Sequence, residues 1–252
     1  MFRRLVILVI LGIVPLFCMS QARAVHDRTL LINHIQLEDA HNYGLVFRGL
    51  GLGYSAGWSW INQDRLLRYR NHLGLTIMTR YEIPAADLRF SPGMLDYRWP
   101  INFLPGVSAG PALSLEYRYQ FNPDLQSGHA YWFSHISLGG GINWHFRLHR
   151  QEFTMEARTS LVGFASRPPA YYDPYMWKIS VPLILKYVNQ DFRPGSWNRY
   201  NVSSIEFNWI PQKKSRIGFG YKIDYMGYFD DPRITIIDHS VKIIFLPKSK
   251  ES

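Results

Sequence analysis

His135 and Ser137 come closest in this chain to a nucleophilic pair, within His135-Ile136-Ser137-Leu138-Gly139-Gly140. A histidine within hydrogen-bond reach of a serine can take its proton and prepare it for acyl transfer. A third group must orient the histidine, and Glu152 or Glu156 could approach it. His145 and His149 have the spacing that binds one metal ion on a helix. On a strand they share a face but lie about 13 Å apart, at about 3.3 Å per residue, so one ion cannot take both. Nine histidines without clustered carboxylates or a cysteine partner give no metal site, and no cofactor is expected. Gly49-Leu-Gly51-Leu-Gly53 and Gly139-Gly140-Gly141 lead into no credible helix, which rejects a nucleotide-cradling loop. The loop acids Asp173, Asp230 and Asp231 are too few for calcium.

The elements that would hold these residues are strands. From Trp177 to Tyr187 every second residue is apolar: Trp177, Ile179, Val181, Leu183, Leu185, Tyr187. The alternation returns at Leu73–Tyr81, Leu95–Phe103, Leu113–Phe121 and Ile217–Tyr225. Side chains on a strand point to opposite faces with period two, so each segment has one oily face and one polar face.

The polar faces carry opposite charges two residues apart. These are Arg80-x-Glu82, Asp96-x-Arg98, Glu116-x-Arg118, Glu156-x-Arg158 and Lys222-x-Asp224. If the oily faces meet lipid, the charged faces point inward, where ions must be paired or solvated. They are expected to form a cross-strand ionic lattice that fills a narrow lumen. On a soluble sheet the same pairs would face water and contribute little.

Residues 1–24 have the form of a cleaved signal peptide. Arg3 and Arg4 precede an apolar run from Leu5 to Met19, and Ala22-Arg23-Ala24 is an A-x-A cleavage site. The sole cysteine, Cys18, lies in that run behind Phe17, where a lipoprotein signal wants a small residue. Cleavage would remove Arg3, Arg4 and Arg23 and lower the net charge from +9 to +6. A basic exported chain can touch anionic head groups. Nucleic acid is excluded by the compartment and by the lack of a basic run.

Residues 25–42 are a periplasmic lead-in or a first strand, 43–247 the barrel, and 248–252 a polar tail. Ten strands are drawn, near 44–60, 71–83, 94–104, 109–122, 131–149, 152–166, 176–190, 201–211, 214–229 and 234–247. Several reach the length of about 9–11 residues that a membrane strand needs. Longer connections are placed at 84–93, 123–130, 167–175 and 191–200. Aromatic residues make up 15% of the chain and gather near strand ends, as interfacial girdles do.

Over nearly its whole mature length the chain resembles the small-to-medium outer-membrane β-barrel proteins of Gram-negative bacteria. The resemblance is to an architecture and not to a subfamily. The expected fold is all-β, an antiparallel up-and-down transmembrane β-barrel of about ten strands (range 8–12), in the outer membrane. The closing segment, with Val241, Ile243 and Phe245 on one side, is similar to the final strand of such barrels, although a charged tail follows. The His135-x-Ser137 stretch resembles the H-x-S-N-G stretch of outer-membrane lipid hydrolases, with Leu138 in place of the asparagine. Strand parity sends His135 and Ser137 to the lumen, whereas such hydrolases turn theirs toward lipid.

Three functions are weighed, with a non-enzyme favoured. The first is a structural or partner-docking envelope component with a charge-filled lumen. The second is a narrow channel for ions or small polar solutes. The third is an acyl hydrolase using His135 and Ser137. The partners expected are outer-membrane lipids and lipopolysaccharide, the barrel-assembly machinery during biogenesis, and, on the docking reading, another envelope protein. A soluble periplasmic sandwich or lipocalin-like barrel, the competing architecture, would turn the apolar faces inward.

Overall fold

Strands of 11 to 20 residues make up the wall of the protein in the computed structural model, which describes residues 23–62, 65–123, 129–149, 151–168, 192–211 and 216–246. In chain order they are β1 (Arg23–Asp39), β2 (Leu45–Asn62), β3 (Arg65–Arg80), β4 (Ile83–Pro100), β5 (Val107–Asn122), β6 (His129–Leu148) and β7 (Gln151–Ser166). After them come the four-residue β8 (Arg193–Ser196), then β9 (Tyr200–Ile210), β10 (Ile217–Tyr228) and β11 (Ile234–Phe245). Neighbours pair antiparallel from β1 to β7, β7 pairs with β9, and β9, β10 and β11 follow in turn. β11 pairs back onto β1 from Asp39↔Ile234 to Arg28↔Phe245, so ten strands close a barrel. β8 covers Val162–Ala165 of β7 beyond the end of β9.

The ladder does not close level. Followed across the strands, the row Ile142, Ala157, Ile205, Ile223, His239, His34, Leu50, Ile77, Ala86, Phe121 returns to β6 at Ala130, twelve residues from its start. A stagger of this kind tilts the strands to about 40° from the barrel axis.

The wall is inside out relative to a soluble protein. Leu50, Leu52, Leu73, Leu75, Ile77, Leu138 and Val241 are half or more exposed. Asp96, Arg98, Arg118 and Asp238 are buried at 1% or 2% exposure. Trp58, Trp60, Trp99, Trp144 and Trp209 sit toward the strand ends near β1's start and β11's finish. There they make the aromatic edge of the apolar band. The soluble alternative, with apolar faces turned inward, is incompatible with this sidedness.

The count of ten is reached by a different set of strands from the one expected. Of the two readings of residues 25–42, the first strand holds: residues 28–39 are wall, paired on both sides, and 25–27 pair with β2 alone. Residues 65–70, which fall between the first two expected strands, and 84–93, read as a connection, belong to β3 and β4. Within β4 the pairing slips on both flanks around Ser91-Pro92-Gly93, and the Tyr69 hydroxyl donates to the Pro92 carbonyl. The extra residue reverses the phase of alternation: Asp87 and Arg89 face inward before it, Asp96 and Arg98 after it. A constant period-two search therefore ends there. β7 has a similar slip opposite Leu138/Gly139, leaving Leu161 and Val162 both about half exposed. The β3–β4 hairpin turns on Tyr81-Glu82, both at positive φ (46° and 70°). Such turns usually carry Asn-Gly or Asp-Gly, so neither residue signals it. The Trp177–Tyr187 alternation, the expected strand 176–190 and loop 167–175 from residue 169 lie outside the described residues, as do residues 1–22 and 247–252.

Candidate functional site: a lumen sealed at one end

Inward-facing residues of all ten wall strands fill the barrel, and glycines make room for the long ones. A Cβ on Gly141 would stand 3.2 Å from Cγ of Arg158, and one on Gly53 would stand 2.9 Å from the His72 ring. The lumen then divides into three layers along the axis.

The first layer is apolar and lies at the end carrying the β1–β2 and β3–β4 turns. Ile35, Leu37, Phe47, Met78, Phe133, Tyr200, Met226, Tyr228, Ile234 and Ile236 form one buried cluster across the barrel. Phe133 stands 6.1 Å from Tyr200 and 5.9 Å from Tyr228, ring centre to ring centre. Above it a buried ion pair joins Arg167 Nη2 to Asp39 Oδ1 at 2.7 Å, and Asn42 donates to Asn122 at 3.3 Å.

The second layer is acid-rich. Arg89 is its hub, 2.7 Å from Glu116, 3.0 Å from Asp224 and 3.3 Å from Asp238. Arg118 bridges Asp87 at 3.0 Å and Glu116 at 2.9 Å, and Lys222 meets Asp224 at 2.7 Å. Three bases here face four carboxylates.

The third layer is base-rich. Glu156 lies 2.9 Å from Arg68, 2.7 Å from Arg70 and 2.9 Å from Arg98, and it contacts Arg158. Asp96 receives Arg158 at 2.8 Å. Glu206 receives Lys242 at 2.5 Å and Arg70 at 3.3 Å.

A cavity of about 410 Å³ runs from the second layer through the third. It reaches Val25, Ile61, Leu66, Ile210 and Leu246 at the end where β1 begins and β11 finishes. At the opposite end it stops below the apolar layer.

Of the ten charged residues singled out from the sequence, eight are brought together in these layers: Asp96, Arg98, Glu116, Arg118, Glu156, Arg158, Lys222 and Asp224. Arg80 and Glu82 are not. Glu82 is exposed in the β3–β4 turn, and Arg80 lies against the Tyr81 ring, its carbon 4.0 Å from the ring centre. The strand ends before their spacing can place them on one face. The hubs Arg70 and Arg89, with Arg68, Asp87, Glu206, Asp238 and Lys242, went unmarked. Asp87-x-Arg89 has the same spacing as the others, but it lies in the stretch read as a loop. Glu206 and Lys242 have no opposite charge two residues away on their own strands.

His135 and Ser137 face the lumen and are buried. The Ser137 hydroxyl is 2.6 Å from that of Ser114. The carboxylate nearest His135 is Glu116, 4.0 Å from Nε2 and engaged with two arginines. Glu152 pairs with Arg147 at the rim, and Glu156 is held by the arginines of the third layer. His145 lines the cavity, while His149 is an exposed turn residue at φ 49°.

With oily side chains outside, ion pairs within and ten long strands closed into a ring, hydrocarbon is the solvent this wall fits. The chain has the architecture of an outer-membrane β-barrel. No protein-family model matches it, and no curated protein sequence does. Solved structures of this form share the barrel. The outer-membrane protease OmpT from Escherichia coli is 8% identical at a TM-score of 0.47, covering 89% of this chain and 96% of its own. The translocator domain of autotransporter NalP from Neisseria meningitidis is 8% identical at a TM-score of 0.45, covering 91% of each chain. Neisserial surface protein A is 12% identical at a TM-score of 0.36, covering 88% of this chain and 98% of its own.

Proposed function

We propose that this barrel is a non-enzymatic component of the outer membrane, exported through a cleaved signal peptide, whose sealed body strengthens the envelope or docks another envelope protein. The observation that carries the reading is the apolar layer around Phe133, Phe47 and Tyr200, which crosses the lumen. Water and ions need a continuous polar path, and a packed aromatic layer denies them one. The ion pairs of the two lower layers support it, because those that cross the lumen, such as Arg70–Glu156 and Arg89–Asp224, tether opposite walls and stiffen the cylinder. Connections are short at the end where β1 begins and β11 finishes, as periplasmic turns are in such barrels. The open mouth of the lumen then faces the periplasm, and the apolar layer faces outside.

The test is conductance of the refolded full-length protein in planar bilayers. The reading expects no discrete current steps from the wild type and their appearance in Phe133→Ala/Tyr200→Ala. Stable single-channel steps from the wild type would replace it with a narrow channel.

A further inference from the structure

We propose that the base-rich mouth of the lumen binds a small soluble anion through a carboxylate or phosphate group, entering from the end where β1 begins. The third layer holds five bases, Arg68, Arg70, Arg98, Arg158 and Lys242, against Asp96, Glu156 and Glu206. Counting Asp27 across the cavity still leaves one base in excess. Behind it the second layer has the opposite imbalance, so the potential favours an anion at the mouth and not at the floor.

The donors are also available. Arg68, Arg70, Arg158 and Lys242 line the cavity. Nε of Arg70 and Nε of Arg158 are buried without a hydrogen-bond partner among the described residues, and Arg158 is only 9% exposed. A buried donor left unmade is costly, so turning either guanidinium toward an anion in the cavity gains a bond that these atoms now lack. Arg68 is the freest of the set: its side chain is 22% exposed, and Nη1 is its one atom committed to Glu156. A guanidinium presents a planar fork that fits carboxylate and phosphate alike. The cavity, at about 410 Å³, has room for such a group with a small body attached. A conducting barrel could carry this site as readily as a sealed one, so binding and conductance are scored separately.

The experiment is thermal unfolding of the full-length protein in zwitterionic detergent micelles. Inorganic phosphate and succinate are titrated separately against chloride at constant ionic strength. Two soluble anions distinguish phosphate from carboxylate recognition. A saturable rise in the unfolding midpoint with either anion is expected. Arg68→Gln is expected to weaken it at least tenfold, while the exterior Arg48→Gln leaves it unchanged. Arg68→Lys keeps the charge beside Glu156 and must also weaken binding, because it lacks the fork. It decides the matter should Arg68→Gln fail to fold. No saturable response to either anion, or an undiminished response in whichever Arg68 variant folds, overturns the proposal.

Discussion

The guanidinium of Arg70 on β3 lies 2.7 Å from the carboxylate of Glu156 on β7, 86 positions away in sequence and across the lumen. Glu156 also serves Arg68, Arg98 and Arg158, so one carboxylate holds four bases in place. Removing one partner of a buried pair is expensive because the remaining charge stays desolvated. Glu156→Gln is therefore expected to cost about 3 to 5 kcal/mol, read as a lower urea midpoint by tryptophan fluorescence. Arg147→Gln, which breaks the exposed rim pair with Glu152, is expected to cost about 0 to 1 kcal/mol. Equal losses in the two would remove the lattice from the list of stabilising features.

Phe133 is fully buried at the centre of the apolar layer and packs on Tyr200 and Tyr228. Phe133→Ala should cost about 3 to 5 kcal/mol, from lost burial plus the cavity left behind. Phe133→Leu, which keeps most of the volume, should cost well under half as much in the same urea titration.

His34 faces outward on β1, directly opposite His239 on β11 and Leu50 on β2. The row of the ladder that passes through them is otherwise apolar, apart from these two histidines. A polar ring turned to lipid is unfavourable, and outward ionisable groups cost most away from the interfaces. His34→Leu is expected to stabilise the barrel by on the order of 1 kcal/mol. His239 accepts or donates at Tyr221 (2.7 Å), so His239→Leu should gain less. A loss of stability in His34→Leu would show that this face is covered by protein in the membrane.

His41 lies in the β1–β2 turn, stacked on Tyr131 with ring centres 4.4 Å apart and bonded to the Pro168 carbonyl at 3.0 Å. Burial holds its pKa below the usual 6.5, with nearby Arg167 adding to the effect and Asp39 opposing it. The unfolded chain thus takes up a proton near pH 6.5 that the folded turn resists. Stability from this site is present above pH 6.5 and declines as pH falls below it. His41→Gln should flatten that decline in midpoints measured between pH 7.5 and 5, and an unaltered slope would acquit His41.

Much of the wall could be read from the chain because alternation is a local property. Leu113 to Phe121 and Ile217 to Tyr225 declare their faces by spacing alone, and their inward neighbours Glu116, Arg118, Lys222 and Asp224 follow from the same parity. The reading stopped where local phase changes. One extra residue at Ser91-Pro92-Gly93 disguised the first half of β4 as a loop and hid Asp87 and Arg89 with it. Arg80 and Glu82 kept the right spacing but met a turn with no glycine or asparagine to announce it.

What the amino-acid order alone determined was the sidedness of the regular stretches: which residues look outward and which inward, since period two holds wherever no bulge interrupts a strand. Which inward residues share a layer was decided only by the closed barrel and its twelve-residue stagger. Arg70 reaches Glu156, and Phe47 joins one cluster with Phe133, because the tilt of the strands brings positions far apart in the chain to one height. The seal at one end and the cavity at the other arise from that alignment, which no single strand contains.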